Sequence, residues 1–519
     1  MKRILYAFAL ILSLACVLIS CNSADLPEEA TTTSEKTTPA ATTPEETTPD
    51  EPFLSSQGLA YEVNDDGETC TITGIGTCND SVIYIGDYID DYKVISIGVS
   101  AFYQHIGITS VTISNTVTSI GNAAFRECTN LTSVTLADSV THIGNQAFAY
   151  CSNLTNVKIP NSVSRIGDFA FYKCTSLTSV TIPDSVIDIG RASFEYCDGI
   201  ESVTIGKSVN SIGEYAFQYC LKLANIEVDK NNESYQSING NLYTKDGTVL
   251  ILYATGKTDE TFVVPNTVTT IGEWAFSDAK SLMDIEIPDT VTTIGEGAFN
   301  NCSGLANVTI PASLTNIGDY VFYFCTNLMS VTIPNTVVSI GEYAFYNCDS
   351  LTSVTIPDSV TNIGRAAFTD CDNLKNVILS SSVTEISDHT FQYCFSLTGI
   401  TIPNSVTSIG QSAFTGCKSL TNVIISDHVA TIGDLAFSDC TGLTSVTIGN
   451  SVTRIGYCAF WGCSNLSSLI FTTSDDWWCA SIPTATSGTD LFAADLSDPA
   501  IAAQYLTDTY NKYFWNRSE

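Results

Sequence analysis

The stretch "LTSVTIPDSVTNIGRAAFTDCDN", residues 351–373, decides the fold, because the chain repeats it with few changes along most of its length. Cysteine marks the period: Cys325, Cys348 and Cys371 stand 23 residues apart, and a Phe always stands three residues before this marker position. There are fifteen such units, six before an interruption and nine after it. A fixed period of this length is typical of a solenoid, in which each unit forms one coil of a stack.

Each unit predicts the same three short segments. Residues 351–356 are rich in β-branched side chains that alternate with polar ones, which favours a strand with one buried face. A Pro-Asp turn leads to a second short strand at 360–363. The Ala, Phe and Cys of residues 365–371 have the spacing of one face of a short helix. Because one unit cannot bury its apolar face alone, we expect an α/β solenoid of stacked coils with a continuous parallel sheet, and a short second strand and a short helix in each coil.

The repeated pattern "LxxVxIPxxVxxIGxxAFxxCxx" resembles the BspA-like class of bacterial surface leucine-rich repeat proteins over about residues 57–519. The resemblance implies a leucine-rich-repeat solenoid, with an N-terminal cap that starts at "GLAYEVNDDGETCTITGIG", from Gly58, and a hairpin insert between two repeat blocks. It also implies display at the cell surface and attachment to molecules of a host or a neighbouring cell, and it carries over no catalytic residue.

These patterns divide the chain into consecutive segments. They are a lipoprotein signal peptide (1–21), an acidic Thr/Pro-rich tether (22–56), the N-terminal cap (57–96), a first repeat block (97–228), the hairpin insert (229–264), a second repeat block (265–471) and a C-terminal cap (472–519).

The first residues indicate export and a lipid anchor. Lys2 and Arg3 precede an apolar run that ends in "LISC" at Cys21, which is similar to a bacterial lipobox, in which Cys21 would carry the lipid. A membrane span is the alternative, but the apolar run of sixteen residues is short against the roughly 20 that a span needs. We expect an extracytoplasmic protein that meets the membrane only through the lipid on Cys21, with the tether giving it reach.

Charge and motifs exclude several classes of function. The net charge of −34 disfavours nucleic acid and anionic membranes as partners. An acid directly follows Ile-Gly or Ile-Ser in eight units, where it would favour the dipole of the predicted short helix; these acids are Asp168, Glu214, Glu273, Glu296, Asp319, Glu342, Asp388 and Asp434. The four histidines lie in distant units, and neither HExxH nor GxSxG occurs. The sequence therefore predicts a protein that is not an enzyme and has no cofactor or metal site.

The cysteines fall into two groups. Thirteen occupy the marker position, where we expect buried, mostly reduced side chains that behave as small hydrophobes, with bridging between neighbouring coils as the alternative. Cys70 and Cys78 in the N-terminal cap, and Cys458 and Cys479 near the C-terminal cap, lie off the marker position and are candidates for disulfides.

Two surfaces are candidates for binding. A row of Thr, Thr355 and its equivalents, faces outward from the main sheet and suits either plain solvation or a repetitive glycan. The positions five, two and one residues before the marker hold many aromatic side chains, which suit protein interfaces. The candidate binding residues there are Tyr215, Tyr219, Trp274, Tyr320, Tyr323, Tyr343 and Tyr346. The alternative is that these rings stack between coils and only stabilise the fold.

Together these features predict a surface-anchored scaffold that binds macromolecules, as an adhesin for proteins of a host or a neighbouring cell. The alternative is a glycan-binding or purely structural envelope protein. At the far end of the chain, we expect Trp477, Trp478 and Trp515 to seal the last coil, because an open solenoid end exposes apolar side chains.

Overall fold

The computed structural model describes residues 54–473, 475–481, 487–491 and 493–518. The predicted signal peptide, Cys21 and most of the predicted tether lie outside the described residues.

The first segment forms parallel main-sheet strands, as the repeat predicts, except in the coil where Gly399 makes only an isolated bridge to Asn376. Neighbouring strands pair in a register of one full unit, so that Val203 lies between Val180 and Ile226. The pairing falls into consecutive runs of two to four strands, so the prediction of a continuous sheet is wrong. In the first block the strands are Ser110–Ile113, Ser133–Thr135, Asn156–Val157, Ser179–Ile182, Ser202–Ile205 and Asn225–Val228. In the second block they are Thr261–Val263, Asp284–Glu286, Asn307–Thr309, Ser330–Thr332, Ser353–Thr355, Asn376–Ile378, Asn422–Ile425, Ser445–Ile448 and Ser468–Phe471.

The second segment forms a further set of parallel strands, each of two residues, that end in the Ile of the Ile-Gly or Ile-Ser pair; this Ile is buried in every strand except Ser211–Ile212. Their register is again one unit, so that Ile340 lies beside Ile317 and Ile363. In the first block they are Ser119–Ile120, His142–Ile143, Arg165–Ile166, Asp188–Ile189 and Ser211–Ile212. In the second block they are Thr270–Ile271, Thr293–Ile294, Asn316–Ile317, Ser339–Ile340, Asn362–Ile363, Glu385–Ile386, Ser408–Ile409, Thr431–Ile432 and Arg454–Ile455.

The third segment is not a helix, so the prediction of a short helix in each coil, and with it the α/β assignment of the coils, is wrong. Residues five and one before the marker, such as Ala123 and Glu127, have positive φ in all fifteen coils. The N–H groups of Ala123 and Phe125 donate to carbonyls of the next coil, at 2.8 and 2.7 Å, and the N–H of Ala124 bonds within its own coil. Since alternate N–H groups leave the coil, the hydrogen bonds of a helix cannot form.

Among the acids after Ile-Gly or Ile-Ser, the four aspartates act between coils and not on a helix dipole. The carboxylate of Asp168 accepts the backbone N–H of Arg191, and that of Asp388 accepts the backbone N–H of Gln411, at 3.1 and 2.6 Å. Asn145 holds the N–H of Asp168 in the same way. The predicted cause was therefore wrong, although the four aspartates are structural as expected.

The marker cysteines are buried, as predicted, and each thiol has a hydrogen-bond partner. Cys371 Sγ donates to the carbonyl of Phe345 in the preceding coil at 3.2 Å. The same bond occurs at all thirteen marker cysteines, with distances between 3.0 and 3.3 Å. Burial raises the pKa of the Cys371 thiol, which keeps the proton that makes this bond.

The four cysteines proposed for disulfides are buried and unpaired, so that prediction is wrong. Cys70, Cys78, Cys458 and Cys479 all carry free thiols. Cys70 and Cys479 lie in strands whose inward faces are apolar, at 0% and 1% exposure, and they serve there as small core residues.

The phenylalanines before the marker form a stack through the core. The rings of Phe345 and Phe368, for example, are parallel within 4° with centroids 5.2 Å apart. At the insert Tyr253 replaces Phe and stacks on Phe276 at 5.0 Å. The insert thus occupies the place of a coil in the stack.

The insert and the N-terminal cap join the solenoid through strands. The insert strands are Tyr235–Ile238, Asn241–Thr244 and Val249–Leu252; the first two pairings are antiparallel, and the third strand pairs in parallel with Thr270–Ile271. The cap strands are Ala60–Val63, Thr69–Gly74, Val82–Ile85, Tyr88–Ile89 and Tyr92–Ile97.

The C-terminal cap covers the last coil. It contains the strands Trp477–Ala480, Thr489–Leu491 and Phe514–Arg517, helices Ala493–Leu496 and Pro499–Gln504, and a π-helical turn, Tyr505–Thr509. The strand Phe514–Arg517 pairs antiparallel with Arg454–Ile455 and so ends the parallel run. Trp477 and Trp515 are buried, as expected of residues that seal this end, and Trp478 is half-buried.

Replacing either of two adjacent alanines in the third segment by Gly should have opposite effects on the free energy of unfolding. Ala123 has φ of 55°, a conformation that costs a residue with a Cβ about 1–2 kcal/mol, so Ala123→Gly should leave the free energy of unfolding unchanged or raise it by up to about 1 kcal/mol. Ala124 is buried without positive φ, and Ala124→Gly should lower that free energy by about 1–2 kcal/mol. Hydrogen exchange of the amides in this coil measures both, and equal losses would contradict the backbone described.

Candidate functional site

All seven candidate binding residues lie on the third side of the coils, which we call the turn edge. It comprises the positions five, two and one before the marker, and the candidate side chains there are half-buried. Positive φ at the first and last of these positions turns their side chains away from the core, which the inward-facing Ala, Phe and Cys fill. The sequence therefore identified the outward positions correctly, although it assigned them to a helix.

In the second block the rings form one continuous group. Tyr320 and Tyr343 stack with centroids 5.1 Å apart and planes within 4°, and Tyr323 stacks on Tyr346 at 5.0 Å. The two stacks meet at Tyr320 and Tyr323, whose rings lie edge to face with centroids 5.6 Å apart. We call this group, together with Trp274 and Phe324, the second-block strip.

Trp274 reaches the strip because the coil between has no side chain at the same position. That residue is Gly297, where a Cβ would lie 2.5 Å from a carbon of the Trp274 ring. The indole therefore leans across Gly297, and its centroid lies 6.4 Å from that of Tyr320.

Tyr215 and Tyr219 belong to the first block and contact different neighbours. Both have positive φ in the non-helical turn edge. Tyr219 stacks on Tyr196 at 4.5 Å, whereas Tyr215 lies beneath the guanidinium of Arg191 at 5.6 Å.

The first block places cations among its rings, which the sequence reasoning missed. Lys173 Nζ lies 5.5, 5.5 and 5.1 Å from the ring centroids of Tyr150, Tyr172 and Tyr196. Its place one residue before a marker, with Tyr at the same place in both neighbouring coils, was the signal that could have revealed this contact. Such cation–π contacts hold the rings and the ammonium in place.

Burial sets the electrostatics of the turn edge. It raises the pKa of the Tyr320 and Tyr323 hydroxyls to about 12, so both stay protonated and can donate hydrogen bonds at neutral pH. Burial also raises the pKa of the Glu195 carboxyl to about 7, against the opposing effect of Arg191 and Lys173.

The rings stack between coils, which is the arrangement predicted as the alternative to a binding site. The faces of Tyr320, Tyr343, Tyr323 and Tyr346 cover one another between coils. Their half-buried state leaves part of each ring open to solvent. The strip is therefore both a stabilising stack and a partly open aromatic surface.

The outer face of the main sheet carries a shallow concavity in the first block. Thr181 and Thr204 line it, together with Lys158, Asp184 and Glu227. The hydroxyls and the mixed charges of these side chains can pair with the hydroxyl groups of a ligand.

Within the described part of the chain, no group of three or more His, Cys, Asp or Glu side chains is arranged to hold a metal ion. None of the helices described there is long and apolar enough to cross a bilayer.

Comparison with known proteins gives a consistent family. The family model for the BspA type leucine rich repeat region matches residues 95–224, 256–373 and 338–467. A leucine rich cell surface protein from Faecalibacterium prausnitzii is 34% identical, with a TM-score of 0.53, over 63% of this chain and 95% of that one. A leucine-rich repeat protein from Eubacterium ventriosum is 30% identical, with a TM-score of 0.58, over 70% of this chain and 94% of that one.

A more distant structure, the pneumococcal vaccine antigen PcpA, shares the fold alone. It is 20% identical over 81% of this chain and 98% of that one, with a TM-score of 0.51. No curated protein matches the chain.

The raised pKa of Glu195 predicts a pH-dependent contribution to stability. Because the folded protein binds this proton more tightly than the unfolded chain, whose carboxyl has a pKa near 4.5, stability falls as pH rises from about 4.5 to about 7. Glu195→Gln should melt like the parent at pH 4 and roughly 2–4 °C higher at pH 8. Glu201→Gln, at an exposed carboxylate, is the control. A Glu195→Gln difference that is equal at both pH values would contradict the titration.

Proposed function

Since this chain belongs to the BspA-type leucine-rich repeat family, we propose that it is a surface-anchored adhesin that binds proteins of a host or a neighbouring cell. The family fold is a repeat scaffold that typically binds proteins, and the relative from Faecalibacterium prausnitzii is described as a cell surface protein. Export of this chain, suggested by its first 21 residues, supports the same location.

The second-block strip is the observation that carries the proposal. Its aromatic side chains keep part of their surface open, and the exposed carboxylates Asp319 and Glu342 lie beside them. Aromatic anchors within a polar rim are typical of protein-binding hot spots. The rings are also held rigidly by stacking, which lowers the entropy lost when a partner binds.

The lipid anchor at Cys21 completes the proposal. The sequence "LISC" at the end of the apolar run is similar to a lipobox and so supports lipidation of Cys21. The acidic tether would then hold the solenoid away from the membrane. No part of the repeat fold is then needed for membrane attachment.

A glycan is the second candidate partner. The concavity around Thr181 and Thr204 favours it, because hydroxyl and charged side chains there can pair with sugar hydroxyls. An array of host-matrix proteins and an array of glycans, probed with the same labelled chain, distinguish the two. Binding to neither array would favour a purely structural envelope role.

The strip predicts which side chains the protein partner needs. Replacing Tyr320, Tyr323, Tyr343 and Tyr346 together by Ser should weaken binding to the partner found on the protein array at least about tenfold, since hot-spot aromatics each contribute about 2 kcal/mol or more. Surface plasmon resonance measures the affinity, and melting checks that the variant is folded.

A matched control carries four changes on the outer face of the main sheet: Thr309, Thr332, Thr355 and Thr401, each replaced by Ala. This variant should keep the protein affinity. If the Tyr variant melts lower yet binds as before on its folded fraction, the strip is a stabilising stack and the proposed site is wrong.

The anchor is tested by fractionation. Cys21→Ala should move the protein from the membrane fraction to the soluble fraction, because the diacylglyceryl chain has lost its attachment atom. Ser20→Ala, which leaves Cys21 in place, should stay with membranes. A Cys21→Ala protein that remains with membranes after a carbonate wash would rule out the lipid anchor.

A further inference from the structure

The two repeat blocks build the same turn edge but differ in where its cations lie. In the first block Lys173 lies 5.1–5.5 Å from the ring centroids of Tyr150, Tyr172 and Tyr196. The corresponding position in the second block is Asn347, and its backbone has the same conformation, with φ of 55° against 57° for Lys173. No lysine or arginine in the described part of the chain lies over the rings that surround Asn347.

The rings around Asn347 repeat those around Lys173. Phe324 takes the place of Tyr150, and Tyr346 takes the place of Tyr172. The centroids of Phe324 and Tyr346 are 5.7 Å apart, against 5.3 Å for the first-block pair. The second block thus keeps two of the three rings and lacks the ammonium.

The third ring is replaced by a carboxylate, that of Asp370, and two more carboxylates lie close to it. Asp349 accepts the side-chain N–H of Asn347 at 2.6 Å. Burial is the main cause that raises the pKa of Asp349 and Asp372, and Asp370 adds to it in both. Lys418 partly offsets the effect on Asp372. A second cation would find both aromatic and negative partners at this place.

In the first block, the cation beside the rings and carboxylates belongs to the chain itself. Lys173 lowers the pKa of Glu195 and Asp198, against the effect of their burial. The second block does keep a counterpart of Arg191, namely Arg365, but Asn347 stands where Lys173 would be. The second block therefore keeps this arginine but lacks the lysine at the centre of the rings.

We infer that the second-block strip binds a Lys- or Arg-bearing segment of a partner protein, whose cation lies over Phe324 and Tyr346 as Lys173 lies over its rings. This inference rests on the proposed function and gives the chemistry of the partner. The aromatic rings and the neighbouring carboxylates both attract the cation of such a segment. Because the second block has few basic residues, few of its own cations compete for this place.

The repeat supplies its own blocking variant. Asn347→Lys copies the first block, so its ammonium should lie over Phe324 and Tyr346 and exclude a partner's cation without removing a ring. Because Lys173 shows that this backbone position accepts Lys, the melting temperature should stay within about 2 °C of the parent.

The probe is a fluorescein-labelled hexa-arginine peptide, titrated against the full chain at 150 mM salt by fluorescence anisotropy. We expect Asn347→Lys to weaken binding about tenfold, and the neutral hexa-citrulline peptide to bind at least tenfold more weakly than hexa-arginine. Asn347→Gln should stay within about twofold of the parent. Tyr346→Leu, which removes the π face, should repeat the loss if Asn347→Lys fails to fold.

Thr421→Lys is the control for general attraction of the peptide to a chain with a net charge of −34. It adds the same charge on the main sheet, at the position that Lys375 occupies two coils earlier. It should change the affinity by no more than about twofold. Equal weakening by the two Lys variants would mean diffuse charge attraction, and no weakening by either, or no binding of hexa-arginine, would equally overturn the inference.

The inference and the proposed function fail differently. If the four-Tyr variant loses the array partner while Asn347→Lys leaves peptide binding unchanged, the partner docks on the strip without a cation and only the inference is wrong. If the four-Tyr variant keeps the array partner, the proposed function of the strip is wrong whatever the peptide does.

Discussion

Hydrogen bonding between each coil and the next is the interaction on which the structure depends. It runs along all three sides of the coil: the two strands pair in a register of one unit, and alternate N–H groups of the turn edge reach the carbonyls of the next coil. Side chains add bonds of the same spacing, from the marker thiols and from Asp or Asn after Ile-Gly. Because each of these bonds needs its partner 20 to 26 residues away, the period of 23 cannot drift.

The sequence predicted the inward side of the coil well, because burial depends on side-chain periodicity alone. Phe368 and Cys371 were placed in the core from their recurrence, and both are fully buried. The backbone of the turn edge could not be predicted in the same way. Apolar spacing shows which side chains face inward, and a helix and a pair of left-handed turns give the same spacing at Ala367, Phe368 and Cys371. Only the acceptors in the next coil decide between them.

The candidate site shows a similar limit. Stacking of Tyr320 on Tyr343 follows from the repeat, since identical positions in adjacent coils must be neighbours. The place of Trp274 depends on Gly297 in the coil between, and the cation at Lys173 depends on rings in three coils. Such contacts need the geometry of the stack as well as its order. They also show how a chain of near-identical units acquires different surfaces through single substitutions at outward positions.

The thiol–carbonyl bonds have a consequence for the chemistry of the cysteines. A thiol with a raised pKa, enclosed in the core, forms almost no thiolate at neutral pH, and thiolate is the species that alkylating reagents attack. Such a reagent can therefore reach a marker cysteine only when its own coil opens. The chain carries thirteen of these cysteines, one in nearly every coil, so the modification rate at each reports the opening frequency of that coil. Compared along the chain, these rates show which coils of the solenoid open most often.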